Sequence, residues 1–245
     1  MRLSFATEAT PGLENEDFVA AGQGWAVVLD GATAPSGVDS GCVHGPAWLA
    51  RRLGAELAGR LAADGKPLPD VLAESIEAIG GLHGDCDLGN PDSPSATAAM
   101  VRWDGRAVEW LVLADSPVIL DVDGELKVIT DDRLDHLPSY TLEGVRASRN
   151  SPGGFWVAST RPEAAYEAVT GELPRESVRR VAVLSDGASR LVEKFAMLGW
   201  NDLLDLLDQA GPEELIRRTR EAEKTAPATR RGKRYDDATA LIVRL

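Results

Sequence analysis

Two similar stretches, 156 residues apart, constrain the fold of this chain more than any other feature of its sequence. Residues 26–32 read AVVLDGA and residues 182–188 read AVLSDGA. An apolar run of this length predicts a buried strand, and Asp30-Gly31 and Asp186-Gly187 predict a tight turn at each strand end. If a fold placed these ends together, two unit charges ~4 Å apart would repel by about 4 kcal/mol at an effective dielectric of about 20. The pattern therefore indicates either a cation site or two unrelated turns.

The size and composition of the chain predict a single domain over residues 1–245. Hydrophobic residues make up 44% of the sequence, which is enough for a substantial core, and neither a repeat nor a low-complexity linker divides it. The sequence has no apolar run of about 18 residues that would indicate a membrane-spanning helix. An acid occurs as early as Glu8, so we expect no signal peptide and a cytoplasmic protein.

The charge and the cysteines exclude some classes of function. A net charge of −13 argues against nucleic-acid partners, whose phosphates require a basic surface, and disfavours binding to anionic membranes. Cys42 and Cys86 are far apart in the sequence and match no zinc or redox spacing. We therefore expect both cysteines to be reduced and incidental.

The hydrophobic pattern predicts paired helices around a strand-rich middle region. Apolar residues at helical spacing predict a helix over residues 46–63 and a second helix that follows Pro69 and ends near Gly80-Gly81. Asp104-Gly105 and Asp123-Gly124 predict hairpin turns. Two later helices are predicted near residues 202–209 and 212–224, and strands within residues 3–29 and at 97–103, 107–113, 118–122, 126–129, 155–159, 181–184 and 238–243. This order predicts an α+β fold with packed sheets and helices outside.

Five acid-bearing segments stand beside the predicted strands. They are Asn15-Glu16-Asp17, Asp30-Gly31, Ala114-Asp115-Ser116, Asp186-Gly187 and Asp236-Asp237-Ala238-Thr239. Each is a weak signal alone, since the first could be a solvated loop and the last a turn. Their order and their strand context together form a specific pattern.

This pattern resembles that of the metal-dependent protein phosphatases, the type-2C serine/threonine phosphatases. The family has Asn-Glu-Asp, a strand ending in Asp-Gly, a Thr-Ala core strand matched by Thr97-Ala98, and a Gly-Asp-Ser turn matched by residues 114–116. A Ser-Asp-Gly segment at residues 185–187 and an Asp-Asx-x-Thr segment from Asp236 complete a match that begins near Asn15. The resemblance implies a four-layer αββα fold, which is a β-sandwich of two mainly antiparallel sheets flanked by helices.

The resemblance also implies a hydrolytic centre that contains two Mn²⁺ or Mg²⁺ ions. It assigns Asp30 as the bridging ligand and Asp186 and Asp236 as ligands of one ion, so that these three hold a metal-bridged water for in-line attack on phosphate. These hard ions prefer oxygen ligands, and Mg²⁺ keeps several waters. The full set implied to hold the metals is Glu16, Asp17, Asp30, Gly31, Asp115, Asp186 and Asp236.

The chain departs from the family pattern where phosphate and a third metal would bind. The family usually has an arginine shortly before Asn-Glu-Asp, but residues 10–14 contain no cation. Arg190 stands where an acid often helps to bind a third ion, so a third ion is doubtful. Ala114 replaces the usual glycine, and His44 cannot be aligned with the histidine of the first Asp-Gly loop.

Five cations are candidates for binding the substrate phosphate. Arg190 could bind an anion in place of the missing arginine, or it could form a salt bridge with Asp115. The basic run before Asp236 could recruit phosphate, because Arg and Lys form charge-assisted hydrogen bonds with it, or it could be a solvated loop. The candidates are Arg190, Arg230, Arg231, Lys233 and Arg234.

The sequence therefore favours a metal-dependent phosphomonoester hydrolase whose substrate is a phosphoserine or phosphothreonine protein. The absent arginine and the altered first loop leave two alternatives open. One is a catalytically impaired binding or regulatory module on the same fold. The other is a phosphatase that acts on a small phosphorylated metabolite.

Overall fold

Two antiparallel sheets of five strands form the centre of the molecule in the computed structural model, which describes residues 2–32, 37–63, 65–226 and 233–245. The first sheet has the order β1-β12-β11-β8-β9, the second has the order β10-β7-β6-β3-β2, and β4 pairs with β5 alone. The strands are β1 (Arg2–Glu8), β2 (Phe18–Gly22), β3 (Trp25–Leu29), β4 (Gly31–Ala32), β5 (Ser95–Ala96), β6 (Ala98–Trp103), β7 (Ala107–Leu113), β8 (Val118–Val122), β9 (Glu125–Ile129), β10 (Val169–Pro174), β11 (Val178–Leu184) and β12 (Ala238–Arg244).

The continuous apolar runs are explained by burial on both faces of each sheet. In β3, Ala26 and Val28 pack between the sheets, whereas Val27 and Leu29 pack against helices on the outer face. Strand β11 shows the same division, with Val183 between the sheets. Because successive side chains of a strand point to opposite faces, a strand covered on both sides has no polar positions.

The helices are α1 (Pro46–Ala63), α2 (Leu68–Gly80), α3 (Leu142–Ser148), α4 (Asp186–Glu193), α5 (Trp200–Ala210) and α6 (Pro212–Thr225). The hydrophobic periodicity predicts α1, α2, α5 and α6, but neither α3 nor α4. Helices α1 and α2 pack on the sheet that contains β3, and α4, α5 and α6 pack on the sheet that contains β12. The predicted four-layer αββα architecture is confirmed. Among the described residues, no helix is both long enough and apolar enough to cross a membrane.

Three local predictions were wrong. Residues 155–159 are not a strand, because they form only two isolated bridges, Phe155 with Arg149 and Ala158 with Ala96. Asp186 does not occupy a tight turn but begins α4 directly after β11, and Asp30 leads into the short strand β4. Strand β10 was not predicted, because it is an exposed edge strand with the polar sequence VTGELP.

Candidate metal centre

The acid-bearing segments meet at one end of the sandwich because of the strand directions. Asp30 follows β3 in one sheet and Asp186 follows β11 in the other, and these two strands contact each other across the sandwich. Asp236 precedes β12, which runs antiparallel beside β11, so the start of one strand lies at the end of the other. The predicted convergence of these three aspartates therefore follows from the topology.

A second aspartate before β12 fixes the loop that carries Glu16 and Asp17. The carboxylate of Asp237 accepts hydrogen bonds from the backbone N–H groups of Thr10 and Glu16, each at 2.6 Å. The carbonyl of Glu16 accepts a hydrogen bond from the N–H of Gly31 at 3.2 Å. Asp237 thus positions the first acidic loop against the two strand ends, a role that sequence reasoning missed although the residue is part of the motif.

Asp30 is held by the Thr-Ala segment and the Asp-Ser turn. Its N–H donates to the hydroxyl of Thr97 at 3.1 Å, and its carbonyl accepts from the N–H of Thr97 at 2.8 Å. The hydroxyls of Thr97 and Ser116 lie 2.6 Å apart, which ties the turn that contains Asp115 to the same point. These buried hydroxyls explain why both segments belong to the motif.

Close backbone approach requires glycine at residue 187. A Cβ atom at this position would lie 1.8 Å from the carbonyl oxygen of Asp237. Only a residue without a side chain allows α4 to begin this near to the strand that follows Asp236. The glycine of the second Asp-Gly pair therefore serves packing of the site rather than turn formation.

The carboxyl groups of the centre are buried and repel one another. Desolvation by the surrounding protein raises the pKa of Asp17 and that of Asp115 to about 7. Desolvation, followed by repulsion from Asp17 and Asp186, raises the pKa of Asp30 well above its usual range. The pKa of Asp186 is also raised, chiefly by desolvation and by the charge of Asp236.

Asp17 lacks compensation for its burial. Neither carboxylate oxygen has a hydrogen-bond partner among the described residues. The hydroxyls of Thr239 and Ser185 lower its pKa, but desolvation outweighs them. The hydroxyl of Thr239 also contacts that of Thr7 at 2.7 Å, and the hydroxyl of Ser185 accepts from the N–H of Thr239 at 2.9 Å. A buried carboxylate without partners is costly unless a cation approaches it.

The donor set fits hard divalent cations. Asp30, Gly31, Asp115, Asp186 and Asp236 line one cleft with a volume of about 930 Å³. The side chains of Asp30 and Asp186 lie near each other, and two negative charges there would repel unless a proton or a cation reduced the repulsion. Carboxylate and carbonyl oxygens are the ligands that Mg²⁺ and Mn²⁺ prefer.

Arg190 occupies a buried ion-pair network. Its guanidinium donates to Glu223 at 2.8 Å and to Asp236 at 2.5 Å, and Glu223 has no exposed surface. The sequence allows an ion pair of Arg190 with Asp115, whereas its partners in the structure are Glu223 and Asp236. Helix α6 supplies Glu223, which could not be identified as the partner from sequence spacing.

The basic run before Asp236 is only partly described. Arg230 and Arg231 lie outside the described residues. Lys233 lines the cleft, is largely exposed and lies 3.3 Å from Asp236. Arg234 instead donates to the carbonyls of Glu223 and Lys224 at the end of α6.

Comparison with known proteins identifies the family. The sequence profile described as protein phosphatase 2C matches residues 7–220. The chain belongs to the protein phosphatase 2C family. No curated protein matches this chain in sequence.

Solved structures of serine/threonine phosphatases have the same fold. The phosphatase MsPP from Mycobacterium smegmatis, solved in complex with cacodylate, is 18% identical over 100% of this chain and 98% of its own, with a TM-score of 0.63. Phosphatase Stp1 from Staphylococcus aureus is 13% identical over 99% and 94%, with a TM-score of 0.63. The catalytic domain of PstP in complex with 2 manganese ions is 20% identical over 98% and 96%, with a TM-score of 0.59.

One departure from the type-2C pattern has a visible structural cost. Ala114 stands where the family usually has glycine, and its φ is 66°. This left-handed conformation favours glycine, because a Cβ atom crowds the following carbonyl. The turn that positions Asp115 therefore has a backbone conformation that glycine would suit better than alanine.

A separate group of side chains contains both cysteines. Cys42 and Cys86 are free thiols, but they are not isolated from each other in space. They lie with His44 and His83 in one cluster whose potential ligand atoms are all within 4.8 Å of one another. The sequence signal was present as Cys-x-His and His-x₂-Cys, which a search of cysteine spacings alone does not detect.

Proposed function

We propose that this protein is a metal-dependent serine/threonine protein phosphatase that binds two Mn²⁺ or Mg²⁺ ions. The observation that carries the proposal is the convergence of the acidic segments at one end of the sandwich, in a chain that belongs to the protein phosphatase 2C family. The structure of PstP with 2 manganese ions supports the number and kind of ion. A third ion remains doubtful, since Arg190 stands at the relevant position.

The residues proposed to hold the ions divide into ligands and supports. Asp30, Asp186 and Asp236 would be the central ligands and would hold the attacking water, and Glu16, Asp17, Gly31 and Asp115 would complete the set. When bound, two such ions supply a nucleophile at neutral pH and stabilise the charges of in-line phosphoryl displacement. Thr97 holds the backbone of Asp30, and Asp237 holds the loop that carries Glu16 and Asp17.

The basic side chains near the acidic centre suggest how phosphate would be bound. Among the candidates that the structure describes, Lys233 is the one that is both exposed and part of the cleft lining. Arg190 has two carboxylate partners, so its main contribution would be to orient Asp236, with phosphate contact second. Recruitment of phosphate by Arg230 and Arg231 stays a prediction from the sequence, and Arg234 would join only if it left the end of α6.

The extent and the cellular role of the protein are also part of the proposal. Strand β1 pairs with β12 along its whole length, which supports a single domain over residues 1–245. Two free thiols fit a reducing compartment such as the cytoplasm, where a phosphoprotein phosphatase would act in signalling.

Turnover of phosphorylated substrates tests this proposal. We expect hydrolysis of p-nitrophenyl phosphate and of phosphoserine and phosphothreonine peptides that depends on added Mn²⁺. Asp30→Asn should lose more than about 100-fold of the rate, because even residues that only support metal ligands cost 10–100-fold. Asp205→Asn is the matched control, since Asp205 pairs with Arg180 on the outer surface and should leave the rate unchanged.

Other results would contradict the proposed mechanism or indicate one of the alternative functions. Activity without metal, or activity retained in Asp30→Asn, would contradict the mechanism. Binding of Mn²⁺ without turnover of any phosphopeptide would indicate a binding or regulatory module. Turnover restricted to small phosphoesters would indicate a metabolite phosphatase.

A further inference from the structure

Four side chains outside the acidic centre converge at a second point. Cys42 and His44 lie between β4 and α1, whereas His83 and Cys86 lie beyond the end of α2. Both sulphur atoms and one nitrogen of each ring lie within 4.8 Å of one another. None of the four has a part in the proposed phosphatase reaction.

The distances within this cluster fit a tetrahedral site. The sulphur of Cys42 lies 3.3 Å from Nδ1 of His83 and 3.5 Å from Nδ1 of His44, and the sulphur of Cys86 lies 3.6 Å from Nδ1 of His44. A tetrahedral zinc ion with Zn–S bonds of ~2.3 Å and Zn–N bonds of ~2.05 Å places neighbouring sulphur and nitrogen ligands about 3.6 Å apart. The cluster therefore has the dimensions of a zinc site before an ion is added.

Surrounding side chains hold the rings in this arrangement. The ring of His44 stacks on Trp48 with a centroid distance of 3.9 Å, and Trp48 also meets the ring of His83 edge-on at 4.9 Å. His83 is only 3% exposed and its Nε2 is buried without a partner. Among the described residues, the thiol of Cys42 is the one polar partner of this ring. A metal ion at Nδ1 would bind this buried imidazole more strongly than a neutral thiol does, and Nε2 would then carry the ring proton.

The donor chemistry distinguishes this cluster from the acidic centre. Two thiols and two imidazoles form a soft Cys₂His₂ set without any carboxylate, and such sets select zinc over Mg²⁺ or Mn²⁺. Four protein ligands leave no open position for a substrate or a water. We propose that Cys42, His44, His83 and Cys86 bind a structural zinc ion, and that both thiols release their protons to solvent when it binds.

The location of the cluster indicates which two segments the ion would connect. It would fasten residues 37–45 to the segment after α2, and the two already touch where the N–H of Asp87 donates to the carbonyl of Gly41 at 2.8 Å. The first segment follows β4, whose residues line the cleft, and the second leads to Pro91 and Asp92 on the cleft wall. Zinc would therefore fix the distance between two walls of the proposed active-site cleft.

Metal analysis of the full-length chain, purified without a histidine tag, tests the proposal directly. We expect about one tightly bound zinc ion per chain, which persists when the protein is dialysed free of manganese and magnesium. Replacement of zinc by Co²⁺ should produce a thiolate-to-cobalt charge-transfer band and the intense visible bands of tetrahedral cobalt. This measurement needs no variant and does not depend on phosphatase activity.

Variants assign the ion to the four side chains. His83→Asn and Cys42→Ser should reduce the zinc content from about one per chain to near zero. His136→Asn is the matched control, because this third histidine lies on an exposed turn and pairs with Asp132. His136→Asn and Asp30→Asn should both retain zinc, so that loss of the acidic centre and loss of the zinc site remain distinguishable.

Three results would overturn the proposal. The first is wild-type protein that holds no zinc after refolding in its presence, with both thiols free to react in the native state. The second is a disulfide between Cys42 and Cys86 in the native protein, identified by mass spectrometry of its peptides. The third is a zinc content that is unchanged in His83→Asn.

Discussion

At the scale of single residues, Ala114 is the position where one substitution should most clearly increase the stability of the fold. Its φ of 66° is unfavourable for alanine, whereas glycine adopts this conformation freely. We expect Ala114→Gly to raise the free energy of unfolding by about 0.5–1 kcal/mol, measured by urea denaturation. Ala20→Gly in strand β2 is the opposite control and should lower it by about 0.5–1 kcal/mol. Equal destabilisation by both changes would show that the turn is not strained.

Arg190 allows a structural role to be separated from a role in substrate binding. Arg190→Ala would leave the buried carboxylate of Glu223 with Arg220 as its remaining partner, so we expect a loss of about 3 kcal/mol of stability. Arg217→Ala is the control, because the ion pairs of Arg217 with Glu214 and Glu221 are exposed and its loss should barely change stability. Unchanged stability with a raised KM in Arg190→Ala would instead identify a phosphate ligand.

At the scale of elements, Asp237 joins the start of β12 to the first acidic loop. Asp237→Ala removes two charge-assisted hydrogen bonds to the N–H groups of Thr10 and Glu16, each worth roughly 1.5–3 kcal/mol. We expect weaker Mn²⁺ binding by at least about tenfold, measured by calorimetry, because the loop is no longer held against the metal centre.

A control for Asp237→Ala comes from another aspartate that accepts a backbone hydrogen bond. Asp202→Ala removes the contact with the N–H of Gly199 at the start of α5, remote from the cleft. It should lower stability slightly and leave Mn²⁺ affinity unchanged. Equal losses of Mn²⁺ affinity in both variants would show that the effect of Asp237 is not local.

The elements also show which sequence signals suffice for prediction. Strand β3 and residues 181–184 of β11 were predictable because burial on both faces leaves no polar position in either stretch. Residues 155–159 are equally buried and apolar, yet their backbone is paired only at Phe155 and Ala158. Hydrophobicity therefore predicts burial, but hydrogen-bonded pairing depends on a neighbouring strand that the local sequence does not encode.

At the scale of the whole molecule, removal of the metals should make stability depend on pH. Because the folded pKa values of Asp17 and Asp115 are about 7, these groups hold protons that the unfolded chain, with pKa values near 3.8, has released. Their contribution to stability is complete below pH 3.8 and disappears as the pH rises through about 7. We expect the thermal midpoint of metal-free protein to fall between pH 4 and about 7 relative to that of protein with Mn²⁺.

A variant checks the origin of this pH dependence. In Asp115→Asn the side chain is neutral at every pH, so the metal-free protein should lose part of the decline between pH 4 and about 7. A decline of the same size in wild type and variant would show that Asp115 does not contribute.

The two sites differ in how much of each the sequence could reveal. The acidic centre was predictable because each acid adjoins a recognisable strand and the segments occur in the order of a known family. The ion-pair partner of Arg190 and the Cys₂His₂ cluster were not, because contacts such as those between α4 and α6, or between the loops before α1 and after α2, arise only from tertiary packing.

The place of β12 in its sheet has a consequence for the order of assembly. This strand is made last among the described elements, yet it lies between β1 and β11 and is preceded by Asp236 and Asp237. While a ribosome is still synthesising the chain, β1 has no neighbour in its sheet and the aspartates of the centre are incomplete. We therefore expect that pairing of β12 with β1 and β11 completes the first sheet and brings the last aspartates to the proposed metal centre in the same step.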